Sequence, residues 1–231
     1  MARGSDRQMA LDLPVEPSFS RDDFLVSPSN QDAWNLFEAW PNWPGRMVLL
    51  LGPTGAGKSH LGAIWAKTAQ ARVQPAASLA QADINALARA GAILIEDADR
   101  VAGAEAEFFH FLNLAREAGS YVAMTARSWP DSWGLATKDL LSRLRLAPSV
   151  EIGEPDDALV RAVLIKLFLD RQLQVDTSVI EFLAMRIERS LSAARSVVAI
   201  LDHEALARGR PVTRPMASEV LRRIESGEEP K

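Results

Sequence analysis

The sequence predicts an α/β domain built on a parallel five-stranded sheet and followed by a small all-helical domain. Three observations carry this. Gly52-Pro53-Thr54-Gly55-Ala56-Gly57-Lys58-Ser59 reads G-x-x-x-x-G-K-S and lies between an apolar run of strand length and a stretch of helical spacing. Four further apolar runs of strand length alternate with helical stretches as far as Ile152. Past Pro155 the apolar residues keep helical spacing only. The expected organisation is a tail over 1–18, an α/β domain over 19–153 and a helical domain over 154–231.

The glycine-rich loop is the sharpest signal. Met47-Val48-Leu49-Leu50-Leu51 precedes it as a strand, and 60–69 follows as a helix with Leu61, Ile64, Trp65 and Thr68 on one side. Glycines let backbone N–H groups turn inward around an anion, and the helix N-terminus adds partial positive charge. In a P-loop the lysine, here Lys58, reaches the β- and γ-phosphates, and the hydroxyl, here Ser59, ligates Mg²⁺. A nucleoside di- or triphosphate ligand is therefore expected.

Composition limits the alternatives. Lys plus Arg number 26 and Asp plus Glu 30, a net charge of -4, so no overall basic excess points to nucleic acid. There is no cysteine, hence no disulfide framework and no thiolate metal site. His60, His110 and His203 lack ligand spacing and read as surface or half-buried residues. No apolar stretch reaches the roughly 18 residues of a membrane span, and a soluble cytoplasmic protein is expected.

In chain order, 1–18 is polar and punctuated by proline, too mixed to bury a core. Gln8, Met9, Leu11 and Leu13 nevertheless place a glutamine and three apolar anchors within six residues. That pattern resembles the short peptide by which bacterial replication proteins dock on the β sliding clamp. A tail packed back on its own domain is the alternative.

Phe24-Leu25-Val26 is either core or a cover for an adenine ring. Ser29 or Asn30 is placed to cap a helix over 31–40, whose Ala33, Leu36, Phe37 and Trp40 share one face, and Pro41 and Pro44 end it. After the loop helix, 71–74 predicts a short strand and 78–90 an alanine-rich helix. Ala92-Ile93-Leu94-Ile95-Glu96-Asp97 is a second buried strand ending in two carboxylates. Beside the first strand, that tip faces the phosphates, one carboxylate for Mg²⁺ and a neighbour to orient a water. The usual first residue is Asp. Glu96 is one methylene longer, which argues for a nucleotide held more than consumed.

A helix over 105–118 is stopped by Gly119. Tyr121-Val122-Ala123-Met124-Thr125 is the third apolar strand after the loop, with Thr125 at its polar end. Residues 138–145 predict a short helix and 149–152 a last strand. Helices are then predicted over 156–172, 177–186, 192–207 and 216–224.

A P-loop sheet followed by a helical lid is the architecture of the AAA+ ATPases. Phe24-Leu25-Val26 with Pro28-Ser29-Asn30-Gln31, the loop Gly52 to Ser59 with His60, Ile95-Glu96-Asp97, Ser142-Arg143-Leu144 and Arg195 together resemble the bacterial initiator DnaA from about residue 19 onward. The chain ends at Lys231, without the initiator's helix-turn-helix domain, and begins with the clamp-type peptide, and both features resemble the Hda group of DnaA homologues.

The resemblance implies a negative regulator of replication initiation. It implies bound ADP (or ATP) with Mg²⁺, contacted by Phe24, Leu25, Val26, the loop residues, His60, Thr125 as a γ-phosphate sensor and Arg195 as the lid's sensor arginine. Ser59, Glu96 and Asp97 would hold the metal, with Asp97 also in a catalytic role. Arg143 would be an arginine finger acting on DnaA-bound ATP. The implied partners are DnaA and the β clamp, with DNA met through the clamp, a nucleoid or replisome location, and room for a homodimer or homo-oligomer. Adenine as the base rests on the resemblance alone. Arg189 lies near enough to Arg195 to compete for its role; Ser196-Val197-Val198-Ala199-Ile200-Leu201-Asp202 continues as in the family and favours Arg195. An initiator-like ATPase that remodels or loads a replication complex is the second reading, and a nucleotide-stabilised adaptor the third.

Overall fold

A computed structural model describes residues 19–227. They form two compact units. Phe19–Leu159 with Arg189–Ser192 make one, and Val160–Glu188 with the residues from Ala193 onward make the other. Gln8, Met9, Leu11 and Leu13 lie outside the described residues.

In the first unit the order is α1 (Gln31–Glu38), β1 (Met47–Leu51), α2 (Lys58–Ala69), β2 (Arg72–Pro75), α3 (Ile84–Ala88), β3 (Ala92–Glu96), α4 (Glu105–Ala118), β4 (Tyr121–Ala126), α5 (Lys138–Arg145) and β5 (Ser149–Glu151). The five strands pair in parallel in the order β2-β3-β4-β1-β5. The central strands are apolar throughout because both faces are covered. Leu49, Leu51, Ile93, Ile95, Val122 and Met124 point to one face, against Phe108, Phe111 and Leu112 of α4. Val48, Leu50, Leu94 and Ala123 point to the other, against Leu61, Ile64 and Trp65 of α2 and Phe37 of α1. The period of two along each strand thus builds two cores from one sheet.

Phe111 is fully buried. Phe111→Ala is expected to cost about 3–5 kcal/mol through lost burial and a residual cavity. Urea unfolding monitored by circular dichroism measures it, and a cost under about 1 kcal/mol would contradict the packing described.

Three expectations are corrected in detail. The helix expected over 78–90 is two pieces, a 3₁₀ turn over Ala76–Gln81 and then α3. Ala82 is extended (φ -82°, ψ 146°), and the Asp83 side chain accepts from Ala86 N at 3.0 Å, which starts α3 afresh. Asn30 precedes α1 without capping it by its side chain. It accepts from Ser27 N (2.9 Å) and donates to Leu25 O (3.0 Å), so it ties down the segment before the helix. Thr68, grouped with the apolar side of α2, is exposed and donates to Ile64 O.

The helical unit contains most of α6 (Asp157–Asp170), α7 (Thr177–Ala184), most of α8 (Leu191–Arg208) and α9 (Arg214–Ser226). Leu164, Phe168, Leu183, Val198, Leu201, Ala217 and Val220 form its core. Asp176 starts α7 by accepting from Ser178 N, 2.8 Å. Glu204 of α8 binds Arg223 of α9, and Arg208 binds Glu219.

Candidate functional site

β1 delivers the chain into the glycine loop at the carboxyl edge of the sheet, where ligands of open α/β sheets bind. Gly52 follows at once. A Cβ there would stand 2.4 Å from Ile152 O, so only glycine lets the loop pass the end of β5. Gly55 (φ +77°) forms the apex. Leu191 N donates to Gly55 O at 2.9 Å, and a Cβ on Gly55 would stand 2.0 Å from Ser190 Oγ. The loop is therefore clasped by Arg189–Ser192, which is why this short segment packs with the sheet unit.

Lys58 opens α2 and is buried. Its Nζ donates to Gly52 O (2.7 Å) and Pro53 O (2.9 Å), so the ammonium sits inside the curl of the loop. Burial lowers its pKa from the ordinary lysine value; the carboxylates of Asp97, Asp99 and Glu96 work against this, and Arg127 adds to it. An ammonium, the amides opening a twelve-residue helix and a glycine curl make a cradle for an anion.

The acidic tip of β3 meets the start of α2. Ser59 Oγ donates to Glu96 Oε2 at 3.2 Å, and Thr125 Oγ1 donates to the same oxygen at 2.7 Å. Thr125, fully buried, also accepts from Asp97 N at 3.0 Å. Its hydroxyl therefore spans the β3–β4 junction and holds both acidic residues in place. Asp97 takes a left-handed conformation (φ 51°), uncommon for a residue with a Cβ, and its carboxylate lies 3.5 Å from Arg100. Ser59, Glu96, Asp97 and Thr125, predicted from three separate stretches, thus converge. Among the described residues no group of three or more His, Asp or Glu side chains stands ready for a metal. Ser59 with Glu96 offers a small oxygen donor set of the kind Mg²⁺ completes with water and phosphate.

Phe24 is buried, stacks on Trp34 at 5.1 Å and meets the edge of His60 at 5.3 Å. Its ring edge would stand 3.8 Å from a Cβ on Gly57, so it borders the loop as well as the core. Leu25 is half-buried and Val26 exposed. His60 departs from the surface role expected of the histidines. It is only 4% exposed, its Nε2 lies 2.9 Å from Ser20 O, and it packs between Phe19 and Phe24. It fastens the segment before α1 to α2. Thr54 and Ser59 are exposed, while Pro53 is half-buried and Ala56 buried.

Residues 157–221 match the family model described as "Hda, lid domain". The chain is 24% identical to the chromosomal replication initiator protein DnaA of Aliarcobacter butzleri, over 90% of its own length and 53% of that protein. Domain III of the Thermotoga maritima replication initiation protein DnaA superposes with a TM-score of 0.76 at 20% identity, over 91% of this chain and 98% of that one. It is an Hda/DnaA-type AAA+ protein. AMPPCP-bound DnaA from Aquifex aeolicus superposes with a TM-score of 0.73 at 19% identity, over 92% of this chain and 70% of that one. The chain spans about half the length of the curated DnaA relatives it matches.

In this Hda/DnaA-type chain two of the arginines singled out from the sequence lie apart from the loop's hydrogen-bond network. Arg143 projects from α5, half-buried, with its guanidinium 5.5 Å over the Phe109 ring of α4. Glu105 fixes the entry to that helix by accepting from Ala136 N (3.1 Å) and Thr137 N (2.9 Å), bonds that lower its pKa, the Thr137 bond foremost. Arg195 lies on α8 in the helical unit. Arg189, its competitor, belongs to the sheet unit and pairs with Asp157 at 2.9 Å.

Sequence reading missed one pair. Arg127 Nε donates to Asp99 Oδ2 at 2.7 Å, with the Asp99 side chain 8% exposed. The signal was there: an acid two positions past Asp97 and a base two past Thr125, each just beyond a buried strand. Among the described residues, no helix is long and apolar enough to cross a membrane.

Proposed function

We propose that this chain is a negative regulator of replication initiation that holds a nucleotide and acts on DnaA. The nucleotide is ADP, or ATP before it, with its phosphates in the loop from Gly52 to Ser59. Lys58 and the α2 amides face the phosphates, and Ser59 with Glu96 and Asp97 holds Mg²⁺. The metal supplies charge neutralisation on the phosphates. Phe24, Leu25, Val26 and His60 border the base side, and Arg195 couples the lid to the nucleotide. Gln8, Met9, Leu11 and Leu13 dock on the DNA-loaded β clamp, and Arg143 reaches the ATP held by DnaA. The chain in this reading activates a partner's hydrolysis and does not live by its own.

The observation that carries the reading is the Hda lid match over 157–221 on a chain whose Lys58, Ser59 and Glu96 meet at one loop. The anion cradle and the AMPPCP-bound DnaA neighbour support the nucleotide. The docking step is tested by capture of the full chain on immobilised β clamp. A Gln8→Ala/Leu11→Ala variant is expected to bind at least about tenfold more weakly, since short tail motifs bind through a few anchors. Equal capture of both proteins would refute clamp docking through the tail.

A further inference from the structure

Arg127 leaves β4 at a crowded corner. β4 lies between β3 and β1. Ala126 is in register with Leu51, so Arg127 emerges beside Gly52, the first residue of the loop. On the other side Met124 is in register with Ile95, so the chain past Thr125 runs beside Glu96 and Asp97. Arg127 therefore stands between the loop and the acidic tip, on neither strand that the phosphate motifs occupy.

Its partner leaves part of it available. Asp99 takes Nε at 2.7 Å and, more weakly, the Arg127 backbone N at 3.4 Å. Among the described residues the two terminal Nη groups have no protein partner. A guanidinium held by Nε presents that terminal pair as a planar fork, the shape that suits phosphate oxygens. Thr125, the residue expected to sense the terminal phosphate, has its hydroxyl occupied by Glu96 and Asp97. Charge points the same way. The corner gathers Glu96, Asp97 and Asp99 against Lys58 and Arg127, all near enough to act on Lys58. A triphosphate brings more negative charge to it than a diphosphate, and Arg127 is the cation besides Lys58 that offsets the excess.

We infer that Arg127, aimed by Asp99, is the residue of this chain that distinguishes a nucleoside triphosphate from a diphosphate by contacting the terminal phosphate. This rests on the nucleotide reading above. In the diphosphate state the fork is empty and Arg127 stays on Asp99. In the triphosphate state Nε keeps Asp99 while the terminal nitrogens meet the third phosphate.

The test is calorimetric titration of the full chain with Mg–ADP and with Mg–AMPPCP, for the unaltered protein, Arg127→Ala and Arg127→Gln. Glutamine keeps a polar side chain against Asp99 without the charge or the fork, and melting curves establish that each variant is folded. Both variants are expected to lose about tenfold or more in AMPPCP affinity while ADP affinity stays within about threefold, the size of one charge-assisted contact. Equal losses for both nucleotides, or no loss for either, would overturn the assignment and leave the nucleotide site standing. An unaltered protein that binds neither nucleotide would overturn the nucleotide reading and the assignment with it.

Discussion

Lys58→Ala is expected to lower nucleotide affinity on the order of 100-fold or more, because a desolvated cation facing phosphate is worth several kcal/mol. The structure says why the loss falls on binding and not on folding. Lys58 Nζ bonds only to carbonyls of its own loop, Gly52 O and Pro53 O, and its burial is itself a cost to the charged form. Without nucleotide the variant should melt near the unaltered protein. With nucleotide it should lose the stabilisation that a bound ligand confers. Fluorescence anisotropy of a labelled nucleotide and thermal melts with and without ligand measure both.

The same residue sets a pH dependence. In the free protein the Lys58 pKa lies below the ordinary lysine value, chiefly through burial. A phosphate beside it favours the charged form and raises that pKa. Binding therefore takes up a proton above the free-state pKa, and affinity falls as pH rises through it. Lys58→Ala should flatten that slope. Unchanged affinity in the variant would mean that the loop is not the nucleotide site.

Arg143→Ala is expected to return DnaA-bound ATP hydrolysis to its unstimulated rate, while clamp capture and nucleotide binding persist. A guanidinium placed on a transferring phosphate from a partner is worth about 10³–10⁵ in rate in GTPase systems. The substitution is well separated from folding. Leu140 and Leu144 anchor α5 in the core. Glu105 holds its entry, and Arg145 pairs with Asp131 at its far end. Arg143 itself loses only a contact over Phe109, worth about 0.5–1 kcal/mol at a partly exposed site. Arg143→Lys should fail nearly as badly, since an ammonium cannot reproduce the planar fork. A variant that stimulates normally would leave an adaptor role and remove the finger.

The sheet was legible because its signals are local. Each central strand is an apolar run, each crossover helix has a stop such as Gly119 (φ +69°), and α4 and α5 fall at the residues their spacing predicts. The glycine loop and the Glu96-Asp97 tip were legible because both sit at strand ends, where parallel register brings them together. Other features had no local signal. The break at Ala82 lies within an alanine-rich run whose propensity argues for helix, and only the extended backbone there and the Asp83 cap reveal it. His60 looked like a surface residue because its partners, Phe19, Ser20 and Phe24, lie about 40 residues away in sequence. Asp99 and Arg127 are 28 residues apart and meet only because β3 and β4 are neighbours. Ser190 clasps Gly55 from far down the chain, across a boundary that composition alone would draw near Pro155.

The central claim is that this chain inactivates DnaA from a clamp-docked position. The most direct measurement is the hydrolysis of ATP held by DnaA, with β clamp loaded on DNA, in the presence of the unaltered protein, the Gln8→Ala/Leu11→Ala variant or Arg143→Ala. Acceleration by the unaltered protein and failure of both variants is the expected result. No acceleration, with ATP turned over by this protein alone, would contradict the claim and identify an autonomous remodelling ATPase in its place.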